Sequence, residues 1–303
     1  MIWLLGILGT IGNGLVLAMF LRFRGLITPT SLLLINLAVS DLGLILLGFP
    51  FSASSSFAGR WLFGEGGCQW YAFMGFLFGS AHIGTLALLA LDRYLIACRI
   101  SLRGKLTYKR YCQMLSVIWG YAFFWAAMPL LGWGRFGLEP SVTTCTIDWQ
   151  HNDSNYKSFI LVYFVLGFMV PLVIISVCYF AIARRLRRNA KQRGVIHDQW
   201  TNERSITLMS LVLIIAFLVA WTPYAVLCLW TIFSHPSTVP PFLTLIPPLF
   251  AKASTVFNPF IYFMSNPKLR AGILATLCCC CKDANVESIE MPDSPVPANS
   301  DTT

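Results

Sequence analysis

The chain has 303 residues, of which 56% are hydrophobic and only 12% are charged, and its formal net charge is +9. A soluble domain normally carries about 25% charged residues, so the composition excludes an ordinary water-soluble globular protein. The apolar residues also fall in long blocks, which is typical of a membrane protein.

Seven apolar blocks follow one another along the chain. Each reaches the roughly 20 residues that a helix needs to cross about 30 Å of hydrocarbon. We number them as spans 1 to 7: Met1–Leu21, Ser31–Phe51, Cys68–Ala97, Tyr111–Leu131, Phe159–Ala183, Ile206–Phe233 and Pro240–Phe263. The prediction is an all-α membrane protein, a seven-transmembrane helix bundle whose domain covers residues 1–281. The alternative for span 1, a signal peptide, is disfavoured by its polar Asn13 and by the absence of a basic start.

The basic residues predict the orientation. Most of the 22 lysines and arginines follow spans 1, 3, 5 and 7. The positive-inside rule then places the N-terminus outside and the C-terminus in the cytoplasm of a multi-pass plasma-membrane protein. The positive net charge is explained by this topology and by contact with anionic membrane lipid, so we expect no nucleic-acid partner.

Cysteine positions agree with this orientation. Of ten cysteines, only Cys68 and Cys145 fall on the outer, oxidising side, where we expect a disulfide between them. Asn152 begins an Asn-X-Ser sequon on the same side and is the predicted glycosylation site. The inner side has a run of four cysteines: Cys278, Cys279, Cys280 and Cys281. Their placement suits S-palmitoylation, the alternative being a reduced cluster without a role; their spacing is not that of a zinc site, and no metal is expected.

The C-terminal segment changes character twice. A short amphipathic eighth helix is predicted from Pro267 to about Leu277, lying on the membrane through Leu269, Ile273 and Leu277. Residues 282–303 are rich in polar residues and proline and are predicted to form a disordered cytoplasmic tail.

Lys252 is the residue that most strongly indicates function. It is the only charged side chain in Leu245–Phe263, at about mid-membrane depth. A buried ammonium costs from a few to more than about 10 kcal/mol, so a lysine there predicts a functional site. Lysine forms Schiff bases with carbonyl compounds when an apolar pocket holds it. The alternative is a lysine that reaches a polar cavity or an acid.

A charged triplet ends span 3. Asp92, Arg93 and Tyr94 lie at the inner edge of the membrane, and Glu203 at the start of span 6 offers Arg93 a second acidic partner. A bond between the two helices would be a two-state switch that a partner protein could read. From the charge pattern alone, a solvated surface ion pair of little energetic value is the favoured interpretation.

Taken together, these features resemble the rhodopsin-type G-protein-coupled receptors over nearly the whole chain, from about Gly6 to Cys281. The shared motifs are Gly12-Asn13, Leu37-Ala38-Val39-Ser40-Asp41, Asp92-Arg93-Tyr94, Trp119, Pro171 with Tyr179, Trp221-Thr222-Pro223 and Asn258-Pro259-Phe260-Ile261-Tyr262. Each alone is a weak signal, but all of them in order on seven spans are specific.

Within these receptors the chain is similar to the opsins, because Lys252 stands six residues before Asn258. The non-visual neuropsin group is the most similar, through Ile118-Trp119-Gly120-Tyr121, Cys145-Thr146-Ile147-Asp148-Trp149 and Trp221-Thr222-Pro223-Tyr224-Ala225.

The resemblance implies a light-sensing receptor, not an enzyme, with retinal (11-cis, all-trans or both) bound to Lys252 as a Schiff base. The implied partners are a heterotrimeric G protein, with Gi the suggested class, and arrestin and a receptor kinase. A retinal photoisomerase-type opsin is the alternative. A receptor for some other ligand, and a transporter or channel, are the remaining hypotheses.

The resemblance also assigns the ligand pocket. Tyr71 stands where vertebrate visual pigments have a glutamate counterion, so we expect Glu139, at the family's other counterion position, to balance the charge on Lys252 together with Tyr71. The alternative is an exposed loop glutamate. Trp221 and Tyr224 lie one helical turn apart and are expected to wall the ligand.

Further polar residues are expected to transmit the signal. By the resemblance, Asp41, Asn13 and Asn258 form a polar network that couples the pocket to the inner face, with Pro259 and Tyr262 as parts of the switch. The alternative is a static polar cluster. His82 has no assigned role beyond an interhelical hydrogen bond.

Overall fold

The computed structural model describes residues 2–99, 106–191, 198–234 and 239–277. Its helices are α1 (Ile2–Arg22), α2 (Ser31–Ala58), α3 (Gly64–Cys98), α4 (Tyr108–Ala127), α5 (Ser154–Tyr163), α6 (Val170–Lys191), α7 (Asp198–Phe233), α8 (Pro241–Ser265) and α9 (Pro267–Leu277). Span 5 consists of α5 and α6 together, and spans 6 and 7 are α7 and α8. The prediction of a seven-helix transmembrane bundle with a short eighth helix is confirmed.

Length and composition alone identify six membrane-crossing helices among the described residues. The seventh, α8, has 25 residues and packs against α1, α2 and α7. It contains Lys252, Asn258 and four prolines, which lower its mean hydropathy. The helix that carries the candidate ligand site is thus the least obviously membrane-spanning of the seven.

Helix α3 forms the centre of the bundle. It packs against α2, α4, α6 and α7. Of its most apolar stretch, 67% is buried, against 22% for α4, which lies at the periphery. Side chains on several faces of α3 therefore point at other helices, and this is why polar residues along it can find partners.

A π-helical segment, Phe164–Met169, joins α5 to α6. Pro171 stands two residues after its end and has no N–H to donate, so the ladder of α-helical hydrogen bonds is interrupted close to this point. Gly167 of this segment lines an internal cavity. The proline indicated an irregularity in the sequence, but its π-helical form was not predicted.

A β-hairpin lies over one end of the bundle. Its strands, β1 (Phe136–Leu138) and β2 (Cys145–Ile147), pair antiparallel with Leu138 opposite Cys145. The predicted disulfide between Cys68 and Cys145 is present and ties β2 to the start of α3. We call this end of the bundle the disulfide end, and the opposite end, with Asp92 and Arg93, the arginine end.

Helix α9 packs on protein more than was predicted. Leu269 and Ile273 are buried in the main core, whereas Leu277 is exposed. A Cβ on Gly272 would lie 2.8 Å from the sulfur of Met19, so the absence of a side chain there lets α9 approach α1 closely. Only Leu277 of the three predicted membrane contacts is free for lipid. Cys278, Cys279, Cys280, Cys281 and the predicted tail lie outside the described residues.

Candidate functional site

An internal cavity of about 180 Å³ lies between the helices, toward the disulfide end. One water needs about 10–15 Å³ of such space, so the cavity has room for an organic ligand. Most of its wall is aromatic or aliphatic: Leu44, Phe49, Met74, Phe76, Ile83, Ile147, Ile160, Phe164, Phe168, Phe217 and Trp221 among others. An apolar cavity with a few polar groups is the usual form of a small-molecule site.

Lys252 reaches this cavity from α8. Its Nζ lies 5.7 Å from the centre of the Tyr71 ring, close enough for a cation–π contact. Tyr71 and Glu139 are the groups that act electrostatically on the ammonium. The structure thus brings together the three residues that were predicted to form the charged part of the site.

Glu139 is held in the cavity wall by the hairpin. Its side chain is only 6% exposed, so it is not the exposed loop glutamate of the alternative interpretation. Its backbone N–H donates to the Thr144 carbonyl oxygen at 2.9 Å, and the Thr144 hydroxyl donates to its carboxylate. It is not among the ion pairs within 4 Å in the described part of the chain. Glu139 and Lys252 therefore interact electrostatically without forming a direct ion pair.

The environment of Glu139 alters its acidity. Burial raises the pKa of the Glu139 carboxyl above its ordinary value, because the charged form loses its hydration. The charge of Lys252 and the hydrogen bond from Thr144 oppose this rise. The pKa of Glu139 thus depends on whether the Lys252 amine carries a charge.

Trp221 and Tyr224 line the cavity as predicted. The indole Nε1 of Trp221 donates to Ser254 Oγ at 3.1 Å, which links α7 to α8. The hydroxyls of Tyr224 and Thr146 are 2.6 Å apart, which links α7 to the hairpin. Ser254 and Thr146 were missed as site residues, since a lone serine in an apolar span or a lone threonine in a loop carries no recognisable pattern.

The expected polar network of the bundle is only partly present. Asn258 Nδ2 donates to Asp41 Oδ2 at 2.7 Å. Asn13 instead donates to the backbone carbonyl oxygen of Thr255 at 2.9 Å, and no hydrogen bond to Asp41 or Asn258 is found for it among the described residues. The unassigned His82 lies beside Asp41 instead, with Nδ1 at 3.2 Å from Oδ1, but that oxygen accepts no hydrogen bond among the described residues.

Two motif residues of α8 contribute in other ways. The hydroxyl of Tyr262 is buried and has no hydrogen-bond partner within the described residues. Pro259 packs closely on α1 at Gly12. A Cβ on Gly12 would lie only 3.0 Å from the proline ring, so the absence of a side chain there allows the contact. The Gly12-Asn13 motif thus serves contact with α8: the glycine allows approach and the asparagine binds the backbone.

At the arginine end, the expectation of a surface ion pair is wrong. Asp92 and Arg93 are both only 2% exposed, and Arg93 Nε donates to Asp92 Oδ2 at 2.8 Å. The Tyr111 hydroxyl of α4 donates to Asp92, and Arg93 Nη2 donates to Thr30 Oγ1 at 3.1 Å. The pair is buried because α4 and the residue preceding α2 cover it, which spacing within α3 could not indicate.

The other predicted residues of this end are less fully described. Tyr94 is partly buried against the main core. Glu203 belongs to α7, but its side chain is outside the described part of the chain, so the bond between Arg93 and Glu203 stays a prediction.

The predicted glycosylation site lies near the disulfide end. Asn152 is partly buried, and its Nδ2 donates to the Ser234 carbonyl oxygen at 3.3 Å. This nitrogen is the atom that a glycan would modify.

Known proteins resemble the chain over nearly its full length. The family model described as "7 transmembrane receptor (rhodopsin family)" matches residues 12–262. Visual pigment-like receptor peropsin of Mus musculus is 39% identical over 90% of this chain and 82% of its own. Opsin-5 of Mus musculus is 37% identical over 86% of this chain and 70% of its own. The crystal structure of squid rhodopsin has a TM-score of 0.85 and 33% identity, covering 98% of this chain and 90% of that one.

Proposed function

Because the chain belongs to the rhodopsin family of seven-transmembrane receptors, and within it to the opsins, we propose that it is a light-sensing receptor that binds retinal through Lys252 and activates a heterotrimeric G protein. The observation that carries the proposal is the position of Lys252: a lone lysine on a membrane-spanning helix reaches an internal, largely apolar cavity that a buried glutamate also lines.

The cavity suits an elongated apolar aldehyde. Its two charged residues, Lys252 and Glu139, interact with each other beside Tyr71, and most of the remaining wall is apolar. Retinal bound to Lys252 as a Schiff base would supply a double bond that isomerises when it absorbs light. Both the 11-cis and the all-trans isomers are candidates.

Glu139 is proposed to act as the counterion. A positive charge in an apolar site is costly unless a negative group is close. Glu139 is the buried acid whose charge interacts with Lys252, and the Thr144 hydroxyl holds its carboxylate in place. Tyr71 lies beside the Lys252 amine. Because its hydroxyl is neutral, it can orient the amine but does not neutralise the positive charge.

Trp221 and Tyr224 are proposed to detect the change in ligand shape. Both lie on α7 in the cavity wall, and Pro223 between them weakens the helix at that point. Trp221 is held to α8 by its bond to Ser254. Displacing the indole would therefore alter how α7 packs on α8.

The output is proposed to be at the arginine end, which the positive-inside rule places in the cytoplasm of the plasma membrane. Arg93 is buried with Asp92, Tyr111 and Thr30, so a partner could reach it only after these bonds rearrange. Gi is the proposed G-protein class, and arrestin and a receptor kinase are proposed to act on the tail. Palmitoylation of the four cysteines after α9 would anchor that helix to lipid, and glycosylation of Asn152 is proposed on the outer side.

The alternative is a photoisomerase-type opsin, which would use the same lysine and cavity. The chain keeps Arg93, Tyr94, Pro259 and Tyr262, which a receptor needs for its output and a photoisomerase does not. This favours the receptor.

Light-dependent nucleotide exchange separates the two activities. Purified protein with bound retinal should accelerate nucleotide exchange on purified Gi under illumination. Arg93→Ala should abolish exchange while leaving the absorption spectrum unchanged, since Arg93 is remote from the cavity wall. Retinal turnover in light, without exchange on any G-protein class, would support the photoisomerase instead.

A further inference from the structure

The loop that joins β1 to β2 carries three hydroxyl side chains next to the buried acid. Ser141 and Thr143 are partly exposed, and Thr144 is buried beside Glu139. The function proposed above uses Thr144 only to hold the Glu139 carboxylate in place. It gives Ser141 and Thr143 no role.

These hydroxyls form a chain that ends at the carboxylate. Thr143 Oγ1 lies 3.3 Å from Ser141 Oγ, and Ser141 Oγ lies 3.2 Å from Thr144 Oγ1. The Thr144 hydroxyl donates to Glu139 Oε2. Three hydrogen bonds therefore lead from the partly exposed Thr143 to an acid that is 6% exposed.

The charge on Glu139 decides the direction of every bond in the chain. A carboxylate can only accept, so the one hydroxyl hydrogen of Thr144 is used on Glu139. The Thr144 oxygen is then the acceptor for Ser141, and Ser141 in turn accepts from Thr143. All three hydroxyls point toward the acid, and hydrogen bonds aligned in this way strengthen one another.

The bonds of the chain differ in strength. The two outer bonds are longer than the usual 2.5–3.0 Å of an O–H···O bond, whereas the bond from Thr144 to Glu139 is short. The hydroxyls of Ser141 and Thr143 can therefore break their bonds and rotate more readily than that of Thr144.

A strained residue maintains the shape of this loop. Val142 has a φ of 51°, in the left-handed region that β-branched residues rarely adopt. Its N–H donates to the Glu139 carbonyl oxygen at 2.8 Å, and the Glu139 N–H donates to the Thr144 carbonyl oxygen at 2.9 Å. These bonds turn the loop back on itself, which brings Ser141 to Thr144. The loop thus keeps a conformation that valine itself disfavours, and the hydroxyl chain depends on that conformation.

The other groups near Glu139 lie on its cavity side. Lys252 of α8 and Tyr71 of α3 line the same cavity, and Tyr224 and Cys228 of α7 interact electrostatically with the carboxylate. The bond from Thr144 is the one hydrogen bond that the Glu139 carboxylate makes within the described ranges. The hydroxyl chain therefore leads away from the cavity and toward solvent.

We propose that Thr144, Ser141 and Thr143 form a proton relay through which the buried Glu139 exchanges a proton with the solvent at the disulfide end. In one passage Glu139 takes the proton of Thr144, Thr144 that of Ser141, and Ser141 that of Thr143. Thr143 takes a proton from a hydronium ion or a buffer acid. Each hydroxyl oxygen gains one O–H bond as it loses another, so only the carboxylate and the solvent acid change charge. Rotation of the hydroxyls then restores the chain.

The consequence for light sensing rests on the proposed function. If Glu139 is the counterion of a retinal Schiff base, the relay lets the charge balance of the site follow the pH at the disulfide end. The relay itself requires no retinal, so it can be tested on the unliganded protein.

A proton released by a laser pulse from a caged acid tests the relay. Time-resolved infrared spectroscopy follows the band of the protonated Glu139 carboxyl, which Glu139→Gln identifies by its loss. Ser141→Ala interrupts the chain and should slow the appearance of this band by about tenfold or more, since the loss of a positioned proton-transfer group costs at least that much. Ser56→Ala is the matched control, because the exposed Ser56 hydroxyl donates to the Ser52 carbonyl oxygen at 2.6 Å and takes no part in the chain.

A purely structural role of Ser141 would give a different result. If its hydroxyl only holds the loop, Ser141→Ala should shift the midpoint pH of the Glu139 titration and leave the rate of protonation unchanged. Ser141→Thr restores a hydroxyl and should recover the wild-type rate. An unchanged rate in Ser141→Ala, a slow rate in Ser141→Thr, or an equal slowing in Ser56→Ala would overturn the relay.

A second variant covers the case in which Ser141→Ala does not fold. Thr143→Val keeps the shape of the side chain but removes the hydroxyl at the solvent end, and it should slow the band as well. A wild-type rate in Thr143→Val would overturn the relay, as would a wild type whose Glu139 band never appears when the pH falls. A protein that forms no pigment would contradict the proposed function alone, because none of these measurements uses retinal.

Discussion

Glu139 and Lys252 line the same cavity, although a β-hairpin carries one and a membrane-spanning helix the other. The charge of each acts on the other. The hairpin is tied to α3 by the disulfide between Cys68 and Cys145, so a covalent bond fixes the acid relative to the bundle. The charge balance of the site is thus built by a loop, while α3 contributes the neutral Tyr71.

Replacing Glu139 by glutamine should change the titration of the pigment. A protonated retinal Schiff base on Lys252 would absorb in the visible, and a neutral one in the ultraviolet. Without the carboxylate, the protonated form loses its counterion, so the visible band should disappear at lower pH than in the wild type. Glu65→Gln is the matched control, since Glu65 is exposed in the first turn of α3. Identical absorption–pH curves for Glu139→Gln and the wild type would remove Glu139 as counterion.

The stability of the unliganded protein should depend on pH through Glu139. Burial raises the pKa of this carboxyl, so between its ordinary and its raised value the folded state binds more protons than the unfolded state. Stability should therefore fall as pH rises through that window, by at most about 1.4 kcal/mol per pH unit. We expect the apparent Tm in detergent to decrease accordingly, and the decrease to be smaller in Glu139→Gln. An equal pH slope in both proteins would contradict the burial of an ionisable Glu139.

Removing the Tyr111 hydroxyl should loosen the arginine end. In Tyr111→Phe the buried carboxylate of Asp92 loses a donor, and a hydrogen bond to a charged group contributes about 1.5–3 kcal/mol. We expect a lower Tm and more nucleotide exchange on a G protein in the dark. Tyr108→Phe is the matched control, because its exposed hydroxyl donates to the Ile27 carbonyl oxygen at 2.6 Å and to no buried carboxylate among the described residues. Equal behaviour of the two variants would mean that the Tyr111 bond does not restrain Arg93.

Removing the disulfide should lower the stability of the protein and should also release Glu139 from its fixed position. Cys68→Ala opens a link between residues 77 apart in sequence, and loss of such a bond typically costs about 2–5 kcal/mol. We expect a lower Tm and faster loss of bound retinal, since the hairpin would no longer be tied to α3. Cys112→Ala, at an exposed free cysteine, is the control and should behave as wild type. Retention of retinal at the wild-type rate would show that the hairpin is held by other contacts.

Much of the fold could be predicted from local properties of the sequence. Apolar length indicated the seven spans, although α8 is less apolar than the six helices that length and composition identify among the described residues. The location of Cys68 and Cys145 on one side of the membrane indicated the disulfide. The π-helical segment before Pro171 could not be predicted, because a proline is compatible with several local distortions. The burial of Leu269 and Ile273 of α9 depends on α1, which is remote in sequence, so their spacing alone suggested lipid contact instead.

The site was predictable to the extent that a family motif marks it. Lys252, Tyr71, Glu139, Trp221 and Tyr224 do line one cavity. The partners of these residues were not predictable, since Thr146 and Ser254 are ordinary residues until the fold brings them close. The burial of Asp92 and Arg93 was predicted wrongly, because it depends on Tyr111 and Thr30 from other elements.

The covalent attachment of retinal to Lys252 tests the central claim most directly. Wild-type protein is incubated with retinal, reduced with borohydride, digested and analysed by mass spectrometry. The account predicts one retinyl group on the peptide that contains Lys252, its loss in Lys252→Ala, and its retention in Lys157→Ala, a control at an exposed lysine of α5. A pigment that forms equally well in Lys252→Ala, or a retinyl group on another lysine, would contradict it.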